Sequence, residues 1–316
     1  MQAMLLAAGY GTRMRPLSDR CPKPLLPVLG KPLIEYAINQ VKTLPIQTIG
    51  VNTHHGADKV ESFLENGSNW GIEIIISREK EILGTGGGMR AMGMLFSNPG
   101  PFLVYNGDVL ADINLHELTE YHFHRGPLVT LALYHYPPKN NVTLSPDGSI
   151  VDFLGKRATY QPGRDRILTF TGISVVDTSV LAMLPPKGAS NIIDLYLDLI
   201  TRKPGSILGY VAQGKHWIDI GTPSSYLEVH GNILLHGQLS SLGHASPGTG
   251  IYKGSGSVIE PGALLEGFVS LGSDCLVERG AVLRNSVIWD HTTVRMGERL
   301  EYGVQDGEWK YTICGG

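Results

Sequence analysis

The sequence predicts an α/β fold in which a mostly parallel sheet with flanking helices is followed by a short parallel β-helix. Two patterns in the 316 residues indicate this arrangement. Up to about residue 237, apolar strand-like runs alternate with amphipathic helical runs, and strands separated by helices usually pair in parallel. From Ile259 onward an apolar residue recurs at every sixth position, which is typical of a parallel β-helix. The predicted domains are therefore residues 1–237 and residues 238–316.

The composition describes an ordinary soluble globular chain. Hydrophobic residues make up 42% and charged residues 17%, and the net charge of −3 provides no basic surface for nucleic acid. Three cysteines without a CxxC pair predict neither a disulfide framework nor a zinc site, which favours a reducing compartment. The apolar start of the chain leads into a glycine loop, and no apolar run has the length of a membrane span. We therefore expect a cytoplasmic protein with no membrane partner.

The elements of the first domain follow from hydrophobic period and from turn residues. A first strand occupies the N-terminal apolar run. Further strands are predicted at 46–52, 72–77, 102–105, 128–136, 142–145, 169–176 and 207–211. Helices are predicted at 33–44, 57–64, 86–96, 179–184, 191–201 and 223–235. In such sheets ligands bind beyond the carboxyl ends of the strands, so the loops after the first strand and after 102–105 can share a site.

A glycine-rich turn with positive charge directly follows the first strand. Gly9 and Gly11 can adopt positive φ and let backbone N–H groups approach a polyanion, while Arg13, Arg15 and Lys23 supply long cationic side chains. The turn is not a dinucleotide fingerprint, because Met14 stands where a third glycine or alanine is needed, and the chain contains no GxxxxGK[ST]. The pattern predicts a phosphate-binding loop of another kind.

The run GYGTRMRPLSDRCPKPLLPVLGKPLIEY continues this loop without interruption to Tyr36. It resembles the signature of the sugar-phosphate nucleotidyltransferases, in particular mannose-1-phosphate guanylyltransferase-like proteins with a C-terminal hexapeptide-repeat β-helix. The resemblance implies a Rossmann-like, GT-A-like catalytic domain. It also implies a reaction in which a sugar 1-phosphate oxygen attacks the α-phosphorus of a nucleoside triphosphate, releasing pyrophosphate and leaving a nucleotide sugar.

The resemblance also implies a Mg²⁺ cofactor and a set of site residues. Asp108 and Asp219, each after an apolar run, match the metal-binding positions, and Mg²⁺ usually takes one or two carboxylates besides phosphate oxygens and water. A turn aspartate would explain Asp108 equally well from its local pattern alone. The catalytic positions are Arg13, Lys23, Asp108 and Asp219. The nucleotide-binding positions are Leu6, Ala8, Gly9, Gly11, Thr12, Arg13, Lys23, Glu79, Glu81, Gly84 and Thr85. The sugar-phosphate positions are Asn106, Gly107, Lys156, Thr171 and Gly172.

The nucleobase and the sugar are less well defined. Glu79 and Glu81 stand where guanylyltransferases carry acids, which can accept from the two donors of guanine, so GTP with mannose 1-phosphate or a related sugar is the favoured pair. Thymidylyl relatives carry glutamine at the position of Glu79, so the acid there also favours guanine. The third glycine, Gly88, departs from the guanylyl pattern and resembles uridylyl relatives, and a uridylyl- or thymidylyltransferase is therefore the alternative. Gly155 replaces a glutamate and Asn141 a glycine that commonly contact the sugar.

Two functions from other classes compete with this interpretation. Some relatives keep the two-domain build as non-catalytic regulatory subunits, but they tend to lose a metal aspartate or the loop arginine, and Arg13, Asp108 and Asp219 are all retained. Acyltransferases built on hexapeptide repeats use a histidine base, and His291 lies in the repeat. About two coils are too few for the long groove of such enzymes.

Six consecutive hexads run from Ile259 to Val294, with apolar first positions and small or β-branched fifth positions. Three hexads make one triangular coil, left-handed as is typical of this repeat. The first positions are predicted to fill the core, with Cys275 a small buried residue, and Trp309, Tyr311 and Ile313 to cap the last coil. About two coils bury too little apolar surface to be stable alone. They must therefore pack against the first domain or against a second subunit, and the second case would make a homo-oligomer. We expect the coils to contribute no residue to the active site.

Overall fold

The computed structural model describes residues 1–96, 100–153, 155–156, 160–212, 216–239 and 250–313. These residues form two compact units. The first comprises Met1–Tyr10, Ala37–Val109 and Ile113–Trp217, and the second Gly11–Tyr36, Leu110–Asp112 and Ile218–Gly316. We call residues 11–36 the signature segment. The predicted domain boundary at residue 237 stays a prediction. Within the described ranges, no helix is both long and apolar enough to cross a membrane.

The elements have the following bounds. The helices are α1 (Leu17–Arg20), α2 (Leu33–Val41), α3 (Ala57–Leu64), α4 (Gly84–Gly93), α5 (Leu115–Arg125), α6 (Ile192–Arg202) and α7 (Pro223–His236). The strands are β1 (Gln2–Leu6), β2 (Pro27–Val28), β3 (Lys31–Pro32), β4 (Thr48–Thr53), β5 (Glu73–Arg78), β6 (Phe102–Asn106), β7 (Val109–Ala111), β8 (Val129–Tyr134), β9 (Val142–Leu144), β10 (Ile150–Phe153), β11 (Arg166–Val176), β12 (Ile207–Val211), β13 (Trp217–Asp219), β14 (Ile251–Lys253), β15 (Val258–Ile259), β16 (Leu264–Leu271), β17 (Leu276–Val277), β18 (Val282–Ile288), β19 (Thr293–Val294), β20 (Arg299–Glu301), β21 (Gly303–Asp306) and β22 (Trp309–Thr312).

A mostly parallel sheet forms the centre of the first unit. Its parallel part has the order β5-β4-β1-β6, and Leu5 of β1 is paired with Val51 on one side and Tyr105 on the other. Strands β8 and β12 are also parallel. Strands β1, β4 and β6 are largely buried, as expected where helices cover both faces of a parallel sheet, whereas β5 at the edge is partly exposed. The arrangement confirms the predicted mixed α/β fold with a mostly parallel central sheet.

Strand β11 joins the parallel part to an antiparallel extension. It pairs antiparallel with β6, β8 and β9, and β10 pairs antiparallel with β9. Its register with β8 shifts between Phe170 and Ser174, where Gly172 has a φ of +81°. A bulge of this kind re-aims side chains at the edge of a functional site. The sequence pattern did not reveal the antiparallel pairing.

Most predicted elements of the first unit are present. The helix at Ala57–Leu64 and the strand at Ile207–Val211 have the predicted bounds, whereas the helix predicted at 179–184 is a 3₁₀ helix from Thr178 to Met183. Helix α5 was not predicted, because its sequence LHELTEYHFHR carries little apolar periodicity. Asn114 caps it by accepting from the backbone N–H groups of His116 and Glu117.

The C-terminal strands of the second unit stack in parallel ladders. Val258 pairs with Leu276 and Leu264 with Val282, an offset of 18 residues that matches three hexads. In the next turn Leu276 pairs with Thr293, an offset of only 17. The predicted hexad phase is therefore wrong by one residue in the last part. We call residues 251–313 the C-terminal ladder.

This shift changes which residues fill the interior of the C-terminal ladder. Ile288 and Val294 pack there with Leu271, Val277 and Leu283. In the unbroken hexads Ile288 and Val294 are sixth positions, whereas the first positions were predicted to fill the core. The prediction that every first position fills this core is wrong for Trp289, which packs in a different cluster. A coil that is one residue shorter shifts all following residues by one position. Because neighbouring side chains in an extended strand point to opposite faces, a different set of side chains then faces the interior.

Cys275 is buried in the ladder interior, as predicted. Its side chain is 2% exposed, and its thiol donates to the carbonyl oxygen of Trp289 at 3.1 Å. Burial is the main cause that raises the pKa of this thiol above its ordinary value. Cys275 is a structural residue rather than a reactive one.

The C-terminal ladder packs on the signature segment and α7 of the same chain. One buried cluster contains residues of the signature segment, of α7 and of the ladder: Met14, Leu17, Leu26, Val28, Tyr226, Leu227, Ile233, Phe268, Val287, Trp289 and Val304. At the end of the ladder, β22 pairs antiparallel with β21 and thereby covers an edge that would otherwise expose unpaired backbone groups. Trp309, Tyr311 and Ile313 pack against the same cluster. The predicted partner from the same chain is therefore present.

Candidate active site

The predicted phosphate-binding loop contains Gly9, which belongs to the first unit, and Gly11, which belongs to the second. Gly9 is exposed, and a Cβ atom there would meet nothing within 4 Å. Gly11 has a φ of +65°, and its carbonyl oxygen accepts from the Ser18 hydroxyl at 2.9 Å and from the Met14 N–H at 2.9 Å. The left-handed conformation explains the need for glycine at residue 11. It starts the short 3₁₀ helix at residues 12–14, which carries Thr12 and Arg13 on the surface.

Arg13 lies against the turn that follows Asp219. Its guanidinium atoms are 3.4–3.5 Å from the position that a Cβ atom of Gly221 would occupy. The turn is fixed by the N-cap of α7, where Ser225 Oγ accepts from the backbone N–H groups of Gly221 and Thr222 at 3.0 Å. The structure thus places a predicted phosphate ligand beside the loop of a predicted metal ligand, within one unit.

Lys23 begins a second 3₁₀ turn, Lys23–Leu25, and is half-buried. Pro22 precedes the turn and Pro24 lies inside it, which restricts the backbone around the lysine. Arg15 lies between Arg13 and Lys23 and forms an exposed ion pair with Asp19 at 3.1 Å. This pair is consistent with a supporting role for Arg15 rather than a contact to phosphate.

The two predicted metal ligands are at strand ends. Asp108 is half-buried in the turn that joins β6 to β7, and Asp219 is the last residue of β13. Strands β7 and β13 pair in a small two-stranded sheet. The backbone N–H of Gly107 donates to the carbonyl oxygen of Leu6 at 2.9 Å, which ties the Asp108 turn to the strand that leads into the phosphate-binding loop.

Three of the predicted sugar-side residues meet in the first unit. The Asn106 amide lies over Gly172, where a Cβ atom would be 2.6 Å from Asn106 Nδ2. Thr171 is buried, and its hydroxyl donates to the carbonyl oxygen of Ala132 at 2.8 Å. The Thr171 carbonyl oxygen accepts from the Trp217 indole N–H at 2.8 Å. The Thr171 hydroxyl is therefore engaged within the fold, whereas the glycine at 172 makes room for Asn106.

Lys156 is exposed, and its backbone N–H donates to the Phe153 carbonyl oxygen at 3.1 Å. Gly155 before it has a φ of +64° and nothing within 4 Å of a Cβ position. A glutamate at residue 155 would find space but would be strained by this backbone conformation. Asn141, the other departure on the sugar side, accepts from the Phe170 N–H at 3.0 Å.

Glu79 is buried in a hydrogen-bond network at the predicted base side. It is 5% exposed, and its carboxylate accepts from Asn52 Nδ2 at 2.7 Å and from the Leu83 N–H at 2.8 Å. Asn52 Oδ1 in turn accepts from the Ala7 N–H at 2.8 Å. A Cβ atom at Gly88 would lie 2.8 Å from Asn52 Nδ2 and 3.0 Å from Glu79 Oε1. Gly88 is thus required by the space that this network occupies.

The N-terminus of α4 is closed by groups of the protein itself. The Ser190 carbonyl oxygen accepts from the N–H groups of Gly86 at 2.9 Å and Gly87 at 3.4 Å, and a Cβ atom at Gly84 would be 2.7 Å from the same oxygen. The Thr85 hydroxyl accepts from the Ile192 N–H at 3.0 Å, at the start of α6. These glycines are explained by close packing on residue 190. Glu81 is exposed.

Two residues near this site were missed by the sequence interpretation. Tyr10, between the two loop glycines, is 55% exposed, and its ring lies edge-on to His54 with centroids 5.2 Å apart. His54 Nδ1 lies 2.9 Å from the Glu79 carbonyl oxygen. An exposed aromatic residue between two loop glycines was a signal that could have been used. Asn52 had no comparable signal, because its partner Glu79 is 27 residues away.

The two predicted metal ligands, Asp108 and Asp219, are both carboxylates. Among the described residues, no group of three or more His, Cys, Asp or Glu side chains could hold a metal ion. Mg²⁺ is commonly bound by one or two carboxylates together with substrate phosphates and water. The donor chemistry of Asp108 and Asp219 therefore fits this ion.

Comparisons with known proteins identify the family of the chain. The family model described as Nucleotidyl transferase matches residues 2–235. A UTP–glucose-1-phosphate uridylyltransferase from Synechocystis sp. is 30% identical, over 95% of this chain and 86% of the relative. A mannose-1-phosphate guanylyltransferase from Mycobacterium tuberculosis is 29% identical, over 95% and 83%. The structure of HddC from Yersinia pseudotuberculosis, complexed with GMP-PN, is similar in fold with a TM-score of 0.59 and 19% identity, covering 72% of this chain and 96% of that one.

The chain belongs to the nucleotidyl transferase family. The resemblance of its signature to the sugar-phosphate nucleotidyltransferases is thereby confirmed, and the protein is an enzyme of the sugar-1-phosphate nucleotidyltransferase class. The roles of the individual site residues stay predictions.

Proposed function

We propose that the enzyme condenses GTP with mannose 1-phosphate, or a closely related sugar 1-phosphate, to give a GDP-sugar and pyrophosphate. Mannose-1-phosphate guanylyltransferase is the name of the Mycobacterium tuberculosis relative, which supports this pair. The observation that carries the choice of base is the different environment of the two acids. Glu79 is buried and already accepts two hydrogen bonds, whereas Glu81, two residues further on, is exposed at the start of the segment that leads to α4.

Glu81 is therefore our candidate for recognising guanine. A carboxylate can accept from both N1–H and N2–H₂ of guanine, and neither uracil nor thymine presents this pair of donors on one edge. Glu79 would act indirectly, by holding the Leu83 N–H and hence the backbone that follows Glu81.

The chemistry requires no protein nucleophile, because the sugar phosphate is already an anion that attacks the α-phosphorus in line. Arg13 and Lys23 would bind the triphosphate, Lys156 the sugar phosphate, and the backbone at Gly9 and Gly11 the phosphate oxygens. Asp108 and Asp219 would hold Mg²⁺, which, when bound, offsets the negative charge on the phosphate groups. The protein's contribution is then to position two polyanions and to stabilise the charge that develops between them.

A uridylyltransferase acting on glucose 1-phosphate is the second candidate. The Synechocystis relative has this name, and it is similar over nearly the whole chain. Gly88 is the feature of the sequence that pointed to a base other than guanine. The structure gives Gly88 a packing reason that does not depend on the base. This weakens the sequence argument for the second candidate.

A substrate panel tests both candidates. GTP, UTP and dTTP are each paired with mannose 1-phosphate and glucose 1-phosphate, and pyrophosphate release is measured with Mg²⁺ present. We expect GTP to be preferred by wild type and Glu81→Gln to lose most of this preference. Lys80→Gln, a neutralising change at the adjacent residue, is the matched control and should keep it. A UTP preference that survives Glu81→Gln would contradict the guanine proposal and support the uridylyl one.

Three further proposals concern the whole protein. The 18-residue offset of the C-terminal ladder supports a left-handed β-helix, with three hexads in each coil. Exposed apolar residues on this ladder, Val258 at 51% and Leu264 at 49%, support a homo-oligomer formed through it. The nucleotide and sugar phosphate substrates support a cytoplasmic location.

A further inference from the structure

The C-terminal ladder contacts the signature segment on both sides of Lys23. All of these residues belong to the second unit. The contacts are an ion pair at Arg20, three residues before Lys23, and a buried hydrogen-bond chain that reaches Pro27, four residues after it. A third contact is made at Gly30.

The first contact fixes the C-terminal end of α1. Arg20 Nε donates to Asp306 Oδ2 of β21 at 2.7 Å, and the Arg20 guanidinium carbon lies 5.2 Å from the ring centroid of Trp309 on β22. Trp309 is itself stacked on Tyr311, with centroids 6.2 Å apart and an interplanar angle of 15°. The arginine is thus bound by a carboxylate and by an aromatic face from two neighbouring strands.

The second contact passes through α7. The Trp289 indole N–H donates to the Tyr226 hydroxyl oxygen at 3.0 Å, and the Tyr226 hydroxyl donates to the Pro27 carbonyl oxygen. Burial is the main cause that raises the pKa of Tyr226 far above its ordinary value, so the phenol keeps its proton and remains a donor. Pro27 lacks an N–H, so its carbonyl oxygen is the backbone group to which the Tyr226 hydroxyl of α7 can bond.

The third contact sets the turn between β2 and β3. Gly30 has a φ of +73°, and a Cβ atom there would be 2.5 Å from the Tyr252 hydroxyl oxygen of β14. The ladder therefore approaches this turn so closely that only glycine fits. Together the three contacts limit the movement of the backbone that carries Lys23.

We propose that the C-terminal ladder positions Lys23 for nucleotidyl transfer, with Asp306 acting through Arg20 and Trp289 acting through Tyr226. This inference rests on the proposed contact of Lys23 with the triphosphate. Lysine is a flexible point charge, so the position of its backbone decides where the ammonium group can reach. Displacing a substrate-positioning group by about 1 Å can cost about 10²-fold in rate.

Two substitutions in the full-length protein test the proposal. Asp306→Asn removes the charge that holds Arg20, and Trp289→Phe removes the donor to Tyr226 while keeping an aromatic ring. We expect each to raise KM for the nucleoside triphosphate by about tenfold, within the range that a small displacement can cause. KM for the sugar 1-phosphate should stay at the wild-type value. The best triphosphate from the substrate panel is used, so the test does not depend on the identity of the base.

A matched control lies on the same ladder. Glu266 on β16 pairs with Arg284 on β18 at 2.6 Å, and both side chains are partly exposed. Glu266→Gln removes a ladder carboxylate outside the contacts just described, so it should leave both KM values unchanged. Asp306 is also partly exposed, so Asp306→Asn keeps the test valid if Trp289→Phe fails to fold.

Combination with Lys23→Ala separates positioning from a general effect. Lys23→Ala alone should raise KM for the triphosphate, and adding Asp306→Asn or Trp289→Phe should raise it no further. If Lys23→Ala alone has no effect, the proposed role of Lys23 is wrong. If Lys23→Ala is impaired but both ladder variants behave as wild type, the positioning proposal is wrong. An additional loss of equal size in the Lys23→Ala background would also overturn it, because the ladder would then act by another route.

Discussion

Glu79 is an acid in a segment where the sequence predicted a contact with guanine, and its carboxylate is buried against Asn52 and the Leu83 N–H. The same Asn52 accepts from the Ala7 N–H at the end of the first strand. The network therefore joins the end of β1 to the backbone that precedes α4. We infer that the charge of Glu79 is needed mainly because both of its neighbours are donors.

Reversing the polarity of this network tests that inference. Glu79→Gln places an amide N–H₂ against one of two donors, and Asn52→Asp places two carboxylates against each other, so each single change should cost about 1–3 kcal/mol in the free energy of unfolding. In the double variant, the amide introduced at residue 79 can donate to the carboxylate introduced at residue 52 and accept from the Leu83 N–H. That new carboxylate can still accept from the Ala7 N–H. We expect stability to recover to within about 1 kcal/mol of wild type.

Urea unfolding measures the stability of the four proteins, and the triphosphate panel measures their base preference. If Glu79 only positions the segment, the double variant recovers wild-type base preference together with stability. A stable double variant that has lost its preference would mean that Glu79 contacts the base directly.

Substitution of Asp108 or Asp219 is expected to lower activity without lowering stability. Asn is nearly isosteric with Asp but removes the negative charge that a Mg²⁺ ligand supplies. Asp108→Asn and Asp219→Asn should each lower kcat by about 10²-fold or more, an effect comparable to losing one group that stabilises the transition state. The free energy of unfolding should change by no more than about 1 kcal/mol.

Pyrophosphate release at saturating Mg²⁺ and thermal unfolding measure the two effects. Asp274→Asn, at an exposed carboxylate of the C-terminal ladder, is the control and should match wild type in both. Near wild-type kcat in either site variant would contradict the metal assignment for that residue.

The limits of prediction from sequence are clear at single residues. Of the two loop glycines that can adopt a positive φ, Gly11 has one and Gly9 does not. The reason for Gly88, in contrast, lies in Asn52 and Glu79, which are distant in sequence and meet only because β4 and β5 are neighbours. The position of Arg13 beside Gly221 likewise depends on the packing of the second unit. Local patterns predict conformation, but they do not predict which distant side chain occupies a given space.

At the scale of elements, periodic segments were predicted well and irregular ones were not. The apolar strands and α3 follow directly from hydrophobic period, whereas α5 lacks that period and was missed. In the hexapeptide region the prediction continued the six-residue frame through Trp289. In the structure, however, the pairing of β16 with β18 shifts by one residue between Glu266 and Val269. A register shift removes no apolar residue, so the composition of the hexads gives little sign of it. The shift matters because it directs Trp289 towards Tyr226.

The buried thiol of Cys275 makes the stability of the C-terminal ladder depend on pH. Its pKa is raised in the folded protein, so on raising pH the unfolded chain loses this proton first, and stability falls above the ordinary thiol pKa of about 8.5. The fall should reach at most about 1.4 kcal/mol per pH unit from this group. Cys275→Ser removes the titration and should give a flatter dependence between about pH 8.5 and pH 10.

Urea unfolding of both proteins across this range measures the difference. Buried tyrosines such as Tyr226 have raised pKa values in both proteins, so their effect cancels in the comparison. Parallel curves for wild type and Cys275→Ser would show that the thiol does not contribute.

At the scale of the whole molecule, the compact units do not follow the order of the chain. The signature segment lies near the N-terminus but packs with α7 and the C-terminal ladder in one buried cluster. The sequence predicted that the repeat must pack against the first domain or a second subunit, since about two coils bury little apolar surface. It could not identify the surface as the segment that carries Arg13 and Lys23, because that contact joins residues 286 positions apart, as in the Arg20–Asp306 pair.

This packing leads to a different expectation for truncation than the sequence alone. A chain ending after His236 keeps the predicted catalytic residues, and the sequence therefore predicted that any folded fraction would still be active. The structure shows that truncation removes Phe268, Val287 and Trp289 from the cluster that holds the signature segment. We expect the truncated protein to expose apolar surface, to associate or precipitate, and to lose activity even in its soluble fraction.

Hydrogen exchange with an activity assay on each chromatographic fraction tests this expectation. Amides of β1, β4 and β6 belong to the first unit and should stay protected, while those of residues 11–36 should exchange rapidly. A shorter truncation after Asp306 removes β22 but keeps the carboxylate that binds Arg20, so it should retain more protection in the signature segment and more activity. In a protein that ends at His236, the signature segment can pack only on α7 and the rest of the shortened chain. Wild-type kcat/KM of this protein in soluble form would therefore show that the signature segment holds its active conformation without the C-terminal ladder.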